Sequence, residues 1–500
     1  MSSLFHLTAS ASRHALRWAV RGVVLLVALG LAIALGFTLY AVGALPPLQP
    51  WHSERLDGEF TALKNGNLDF AGYLQLESGL FDELSRAVAR WDTTEEAFIH
   101  SRFNTRGPLN ELADGAPYNR SYRLTPKQTR GTALLMHGLT DSPYSMKALA
   151  EALHAKGFEV TVLRLPGHGT LPSMMVEMSY RDWVAAMNIA ARDVAVRTGP
   201  GQPFYIAGYS TGGTLALLYA LESLDNPALR RPDRVLLLSP AIELTPVAAL
   251  ANIIDVASVV PVPVLEKVRW QEIVSEFDPY KFNSFPVNAS RQVNRATRAL
   301  QRELERAERD GRLARMPPVT AWQSVVDSTV GATGTVDTLF ARLRGPQHQL
   351  ILFDVNRGTA LRSVQRPAAR ELIERTERGR PAYTLDIVTN AGTDSEAVMV
   401  HRRTPEGTVT DRATPAAWPP DLVSLGHVAL PFPPDDPVYG FRRGSGRAGI
   451  PSIGSWLLRG ESGAITVSLG SLTRLRSNPF WPLIDEQVGA VADADLIRAR

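Results

Sequence analysis

Residues 203–220 read PFYIAGYSTGGTLALLYA. An apolar, β-rich run (203–207) stops at Gly208, and an apolar helical run begins at Thr211. Between them Gly208-Tyr209-Ser210-Thr211-Gly212 fits G-x-S-x-G. In a chain with 38 glycines that pattern alone is weak. Its flanks make it informative, because a sharp strand-to-helix turn lifts the serine oxygen clear of a sheet, and small residues on both sides let the backbone turn without clashes.

The same alternation extends outward. Short apolar runs at 132–136, 158–165, 234–239, 318–326 and 349–353 alternate with helical stretches such as 143–156 and 211–224. Strands alternating with helices predict βαβ units and a mostly parallel sheet, and continuous apolar runs fit strands buried on both faces. The expected fold class is α/β. The core is expected over 131–242 and 317–357, split by a helical cap insertion at 243–316. A second insertion at 358–420 and a closing segment with a tail at 421–500 follow. The cap pairs an apolar part (246–265) with a basic helix over 291–315, where eight arginines face four acids. That helix reads as a solvated face, or as one resting on anionic lipid head groups.

A serine hydroxyl is a poor nucleophile unless a base removes its proton and a carboxylate orients that base. In turns of this kind the chain order is Ser, acid, His, which leaves His348, His401 and His427 for the base. His348 precedes a strand, and His401 sits inside a strand-like run. His427, at the start of a loop in DLVSLGHVALPF, is the choice, with His401 as the fallback. Asp327 ends the run PVTAWQSVVD and is favoured as the acid over Asp354, which closes QLILFD. A carboxylate just past a strand's C-terminal end points into the crevice where open α/β sheets bind ligands. The backbone N–H groups of Thr211 and of Leu139, in the loop His137-Gly138-Leu139-Thr140, are the expected oxyanion donors. His137 and His168 read as loop-bracing residues.

Composition bounds the rest. With no cysteine among 500 residues, disulfide scaffolds, thiolate metal sites and cysteine nucleophiles are excluded. Arg13, Arg17 and Arg21 are the only charged residues before position 22, so the remainder carries 50 basic and 50 acidic side chains and no field suited to nucleic acid. From Gly22 to Gly43 there is no charge. A run near 20 residues crosses a hydrocarbon core of roughly 30 Å. Arginines on its N-terminal side predict residues 1–21 in the cytoplasm and the bulk of the chain, from the spacer and extension at 44–130 onward, on the outer (periplasmic or extracellular) side. A cleavable signal peptide is the alternative, and it gives the same side.

The set MHGLTDSPYSM (136–146), LRLPGHGT (163–170), GYSTGG (208–213), VVDSTV (325–330) and LGHVALPF (425–432) resembles the α/β-hydrolase superfamily. It is most similar to the branch with monoacylglycerol lipases, bacterial carboxylesterases and serine-aminopeptidase-like hydrolases. The resemblance covers 130–357 and about 421–440. It implies Ser210 as nucleophile, Asp327 as acid, His427 as base, and Leu139 and Thr211 in the oxyanion hole. One departure is plain: some 70 residues separate Phe353 from His427, where the family histidine normally follows the last core strand closely. The implied function is a membrane-anchored serine esterase or lipase acting on an acyl or lipid-like ester, with no metal or organic cofactor. Peptidase or acyltransferase chemistry on the same residues, and a non-catalytic envelope protein on the same fold, are the rivals.

Overall fold

The computed structural model describes residues 2–44, 46–91, 96–107, 109–110, 118–243, 263–358, 367–420, 422–441 and 474–498. The apolar first part of the cap and the middle of the tail lie largely outside them. Twelve strands are described: β1 (Tyr122–Leu124), β2 (Gly131–Met136), β3 (Phe158–Leu163), β4 (Phe204–Tyr209), β5 (Arg234–Leu238), β6 (Trp270–Glu272), β7 (Phe285–Pro286), β8 (Val319–Ser324), β9 (Gln349–Phe353), β10 (Thr384–Asn390), β11 (Ala397–Arg403) and β12 (Val409–Ala417). Ten form one sheet in the order β1-β3-β2-β4-β5-β8-β9-β10-β11-β12. Strands β3, β2, β4, β5, β8, β9 and β10 run parallel to one another. Strands β1, β11 and β12 pair antiparallel at the two edges.

The longer helices are α1 (Ser2–Ala44), α2 (Phe70–Val88), α3 (Lys147–Ala155), α4 (Tyr180–Arg197), α5 (Thr211–Glu222), α6 (Val287–Arg309), α7 (Pro367–Arg378) and α8 (Trp481–Arg498). Every residue of β2, β3, β4, β5 and β8 is buried, as a strand covered on both faces requires. One face packs under α4, α5 and the cap helix α6, through residues such as Leu217, Leu237 and Leu300. The other packs under α3 and α8, through Leu149, Trp322 and Val488. The helical spacing read from Val293, Leu300, Leu304 and Ala307 is the buried stripe of α6. Several cap arginines are neutralised locally: Arg306 pairs with Glu303, and Arg312 and Arg315 pair with Asp225.

The structure corrects the boundary expected at 358–420. That segment is not an insertion outside the core. Strand β10 pairs parallel with β9, with Asp386 opposite Ile351, and α7 is the crossover between them. The last parallel strand is therefore β10, followed by the β11–β12 hairpin. This shortens the gap to His427 and accounts for the long stretch after Phe353.

Residues 22–43 lie within α1, whose side chains are described only in part. Among the described residues no helix is long and apolar enough to cross a membrane. The anchor expected over 22–43 therefore does not follow from the described helix.

Candidate active site

The serine turn is built as its glycines require. Ser210 sits between β4 and α5 at φ 53° and ψ −116°, a strained conformation for a residue with a side chain. A Cβ on Gly208 would lie 2.1 Å from the Gly212 carbonyl carbon, and one on Gly212 would lie 2.1 Å from the Met136 oxygen. Neither position admits any larger residue without moving backbone. The turn is tied down by Ser210 N–H donating to Leu238 and by Gly213 and Ala241 N–H groups donating to the Ser210 carbonyl.

Asp327 lies just past β8, and His427 Nδ1 is 2.7 Å from Asp327 Oδ2. The loop carrying the histidine is pinned to the same strand ends. Ser324 Oγ donates to Leu425 O, and Asn356 N–H donates to Val423 O. Asp327 also accepts from the N–H groups of Thr329 and Val330 and from Gln323 Nε2. Burial by itself would push this carboxyl up. The His427 charge and hydrogen bond, with the two backbone donors, outweigh it and hold the carboxyl at about 2. It is thus a carboxylate at neutral pH, able to fix the ring with Nε2 directed elsewhere.

Ser210, His427, Leu139 and Thr211 line one cavity of about 320 Å³ beneath the cap. Among the described residues Ser210 Oγ makes no hydrogen bond, and neither do the N–H groups of Leu139 and Thr211. Catalytic hydrogen bonds are often long or unmade before substrate arrives. Free donors at the start of a helix beside a strained serine are suited to a developing oxyanion.

The other candidates lie elsewhere. His401 is on β11, next to the edge strand β12, with Nδ1 2.6 Å from Asp411. Asp354 is buried and engaged by Arg357 and Thr389. His348 Nδ1 accepts from Val319 N–H at the opposite end of the sheet. His137 Nε2 accepts from Leu165 N–H, bracing the loop that holds Leu139. Burial drives His137 and His168 to low pKa, His168 to about 4, which suits neutral structural rings.

Several lining residues were given no role from the sequence. Tyr209 donates from its hydroxyl to the His427 carbonyl. Lys281 Nζ pairs with Asp141 at 2.9 Å, and Phe282 N–H donates to Thr140 O, joining cap to oxyanion loop. Arg474 and Arg476 enter from the tail. Lys281, Arg474 and Arg476 were invisible because they follow no motif and reach the site only through tertiary packing.

Residues 127–338 match the family described as serine aminopeptidase, S33. A thermostable monoacylglycerol lipase from Bacillus sp. (strain H-257) is 40% identical over 92 residues, which is 18% of this chain and 36% of that protein. The chain thus spans about a third of the length of that curated relative. Among solved structures, that of LipS and LipT, two metagenome-derived lipolytic enzymes, is 21% identical with TM-score 0.37, covering 52% of this chain and 98% of that one. The monoacylglycerol lipase of Paleococcus ferrophilus is 21% identical with TM-score 0.34, covering 47% and 88%. At those values the fold rests on the strand order and the family match. A doubly covered parallel sheet, a strained serine after one of its inner strands and the match over 127–338 give this chain an α/β-hydrolase fold whose core resembles the serine aminopeptidase, S33 family.

Proposed function

We propose that this protein is a membrane-anchored serine hydrolase that cleaves acyl or lipid-like carboxylic esters. The observation that carries the reading is the His427–Asp327 hydrogen bond at the wall of the cavity that Ser210 enters. His427 Nε2 takes the Ser210 Oγ proton as the oxygen attacks the ester carbonyl. The N–H groups of Leu139 and Thr211 receive the oxyanion. His427 returns the proton to the departing alcohol, leaving an acyl-serine. A water then attacks with His427 again as base, releasing the acid and restoring Ser210. Asp327 holds the tautomer and stabilises the imidazolium throughout.

Apolar lining supports an acyl substrate: Leu139, Val274, Phe277, Phe282, Phe285 and Val293 face the cavity. The anchor is supported by surface chemistry. Between Val23 and Leu39, α1 leaves large apolar side chains more than half exposed, a stretch that water solvates poorly. Just beyond it, Leu48 packs against Trp270 and Ile273, beside the hairpin residues Glu272 and Val274 that line the cavity. Four residues reach at most about 14 Å, so an anchor ending at Ala44 would hold the cap close to the bilayer. The arginines before the span support an outer location for the hydrolase body.

A fluorophosphonate probe tests the reading. It is expected to label wild type and not Ser210→Ala, with hydrolysis of acyl esters lost in parallel. A peptidase reading has the matched family's description in its favour. Aminoacyl p-nitroanilides assayed beside acyl esters separate the two, and turnover of the anilides alone would replace the ester reading.

A further inference from the structure

The cavity that holds Ser210 has charge beyond what its triad uses. Its lining carboxylates, apart from the triad, are Asp141 and Glu272. Asp141 is neutralised by Lys281 at 2.9 Å. Glu272 and two half-buried guanidinium groups, Arg474 and Arg476, complete the charged lining, which keeps a net positive charge. Arg474 donates to Thr329 Oγ1 at 2.7 Å, which fixes it to the loop that caps the Asp327 carboxylate. Arg476 has no carboxylate within ion-pairing distance among the described residues. A half-buried guanidinium without a carboxylate partner is available to an anionic ligand in the cavity. Its planar fork of donors matches the oxygens of a phosphate or carboxylate.

We propose that Arg474 and Arg476 form a head-group subsite, so that the esters taken are anionic amphiphiles bearing a phosphate or carboxylate close to the scissile bond. This rests on the ester-hydrolase reading and narrows it. The apolar part of the cavity receives the acyl chain, while the tail arginines hold the charged end of the leaving group. The two residues are specificity-determining, and they reach the site from a segment outside the match at 127–338.

The test measures binding rather than turnover. Full-length Ser210→Ala protein in neutral detergent micelles is titrated with three non-hydrolysable ethers: 1-O-hexadecylglycerol, its 3-phosphate and its 3-O-carboxymethyl derivative. The phosphate compound is expected to bind roughly 10- to 100-fold more tightly than the neutral ether, the range for charge-assisted hydrogen bonds. The carboxymethyl compound should fall between them. Raising ionic strength should shrink the preference. Adding Arg474→Gln and Arg476→Gln together should bring the phosphate-to-neutral ratio towards one, and Arg476→Lys alone should keep part of it. Glycerol 3-phosphate, which has the anion and no chain, should compete poorly. Equal binding of charged and neutral ethers, binding of none of them, an unchanged ratio in the folded double variant, or competition by glycerol 3-phosphate as strong as that of the lipid would each overturn the proposal. Failure of the ester-hydrolase reading shows separately, as wild type that turns over no ester, charged or neutral.

Discussion

His427 Nδ1 and Asp327 Oδ2 stand 2.7 Å apart although 100 residues of chain separate them. The carboxylate is buried and held at about 2, so it can orient the ring and stabilise its positive form without taking the proton. Asp327→Asn keeps the shape and removes the charge. Its kcat on an acyl ester is expected to fall by roughly 10⁴-fold with the fold intact. Steady-state kinetics beside a thermal melt check this. A loss below about tenfold would remove Asp327 from the role.

The two late histidines separate cleanly. His401→Ala alters a pair between β11 and the edge strand β12, far from Ser210 in the sheet order, and ester turnover is expected to change less than twofold. His427→Ala is expected to lose at least about three orders of magnitude, since a serine without its base is a poor nucleophile. Equal losses in both variants would point to structural damage, which circular dichroism would reveal.

What could be read in advance was local. The serine turn is a contiguous run in which Gly208 answers to the backbone of Gly212 and Gly213, and the buried strands are unbroken apolar runs. The role of 384–390 was not legible for a physical reason. Its central Asp386 is fully buried yet satisfied by Arg402 on the neighbouring strand, so the residue that makes the run look peripheral is neutralised by tertiary pairing. Strand β1 was missed because three half-buried residues, Tyr122, Arg123 and Leu124, show no apolar run. Lys281 and Arg476 reach the cavity from the cap and the tail, and no spacing in the chain announces that.

Gly208 is a stringent test of the turn. A methyl group there would sit 2.1 Å from the Gly212 carbonyl carbon and 2.4 Å from Gly213 N. Both are backbone atoms and cannot swing aside. Gly208→Ala is expected to cost at least about 3 kcal/mol, at or beyond the upper end of ordinary overpacking. A melting temperature within one degree of wild type would mean that the strand-to-helix turn is looser than these contacts allow.

The cap contains a buried carboxyl whose effect on stability has a definite sign. Burial pushes Glu276 up to about 7, against the pull of the Asn283 and Ser284 N–H groups and of Arg102. Unfolded, it titrates near the usual 4.3. Between those pH values the folded state binds the extra proton, so this residue's contribution to stability falls as pH rises from about 4.5 to 7. Glu276→Gln cannot ionise. The wild-type-minus-variant difference in unfolding free energy should therefore decline across that window, by up to about 3 kcal/mol. Denaturant melts at pH 4.5 and 7.5 measure it, and an increase in the difference would reverse the assignment. His52, held down at about 3 by burial and joined to Ser284, works in the opposite direction, so the difference between variants is the proper readout.

The proposed anchor makes a prediction that the catalytic residues do not. Residues 22–43 carry no charge, and the described side chains of α1 between Val23 and Leu39 are bare apolar groups. Full-length protein is expected in the membrane fraction, resistant to high salt and to alkaline carbonate, because apolar burial in a bilayer does not depend on ionic strength. Release by salt would instead indicate that the basic residues of the cap hold the protein on anionic head groups. A chain beginning at Leu48 keeps the contact of that residue with Trp270 and Ile273, and with it the wall of the cavity. Such a chain should partition into the soluble fraction while hydrolysing a dispersed short-chain ester at a rate within a few-fold of wild type. Its rate on long-chain esters embedded in vesicles should fall much further, since the anchor no longer concentrates the cap at the interface. Equal losses on both substrates would show that the first 47 residues support the site itself, and the anchor would then have to be judged apart from catalysis.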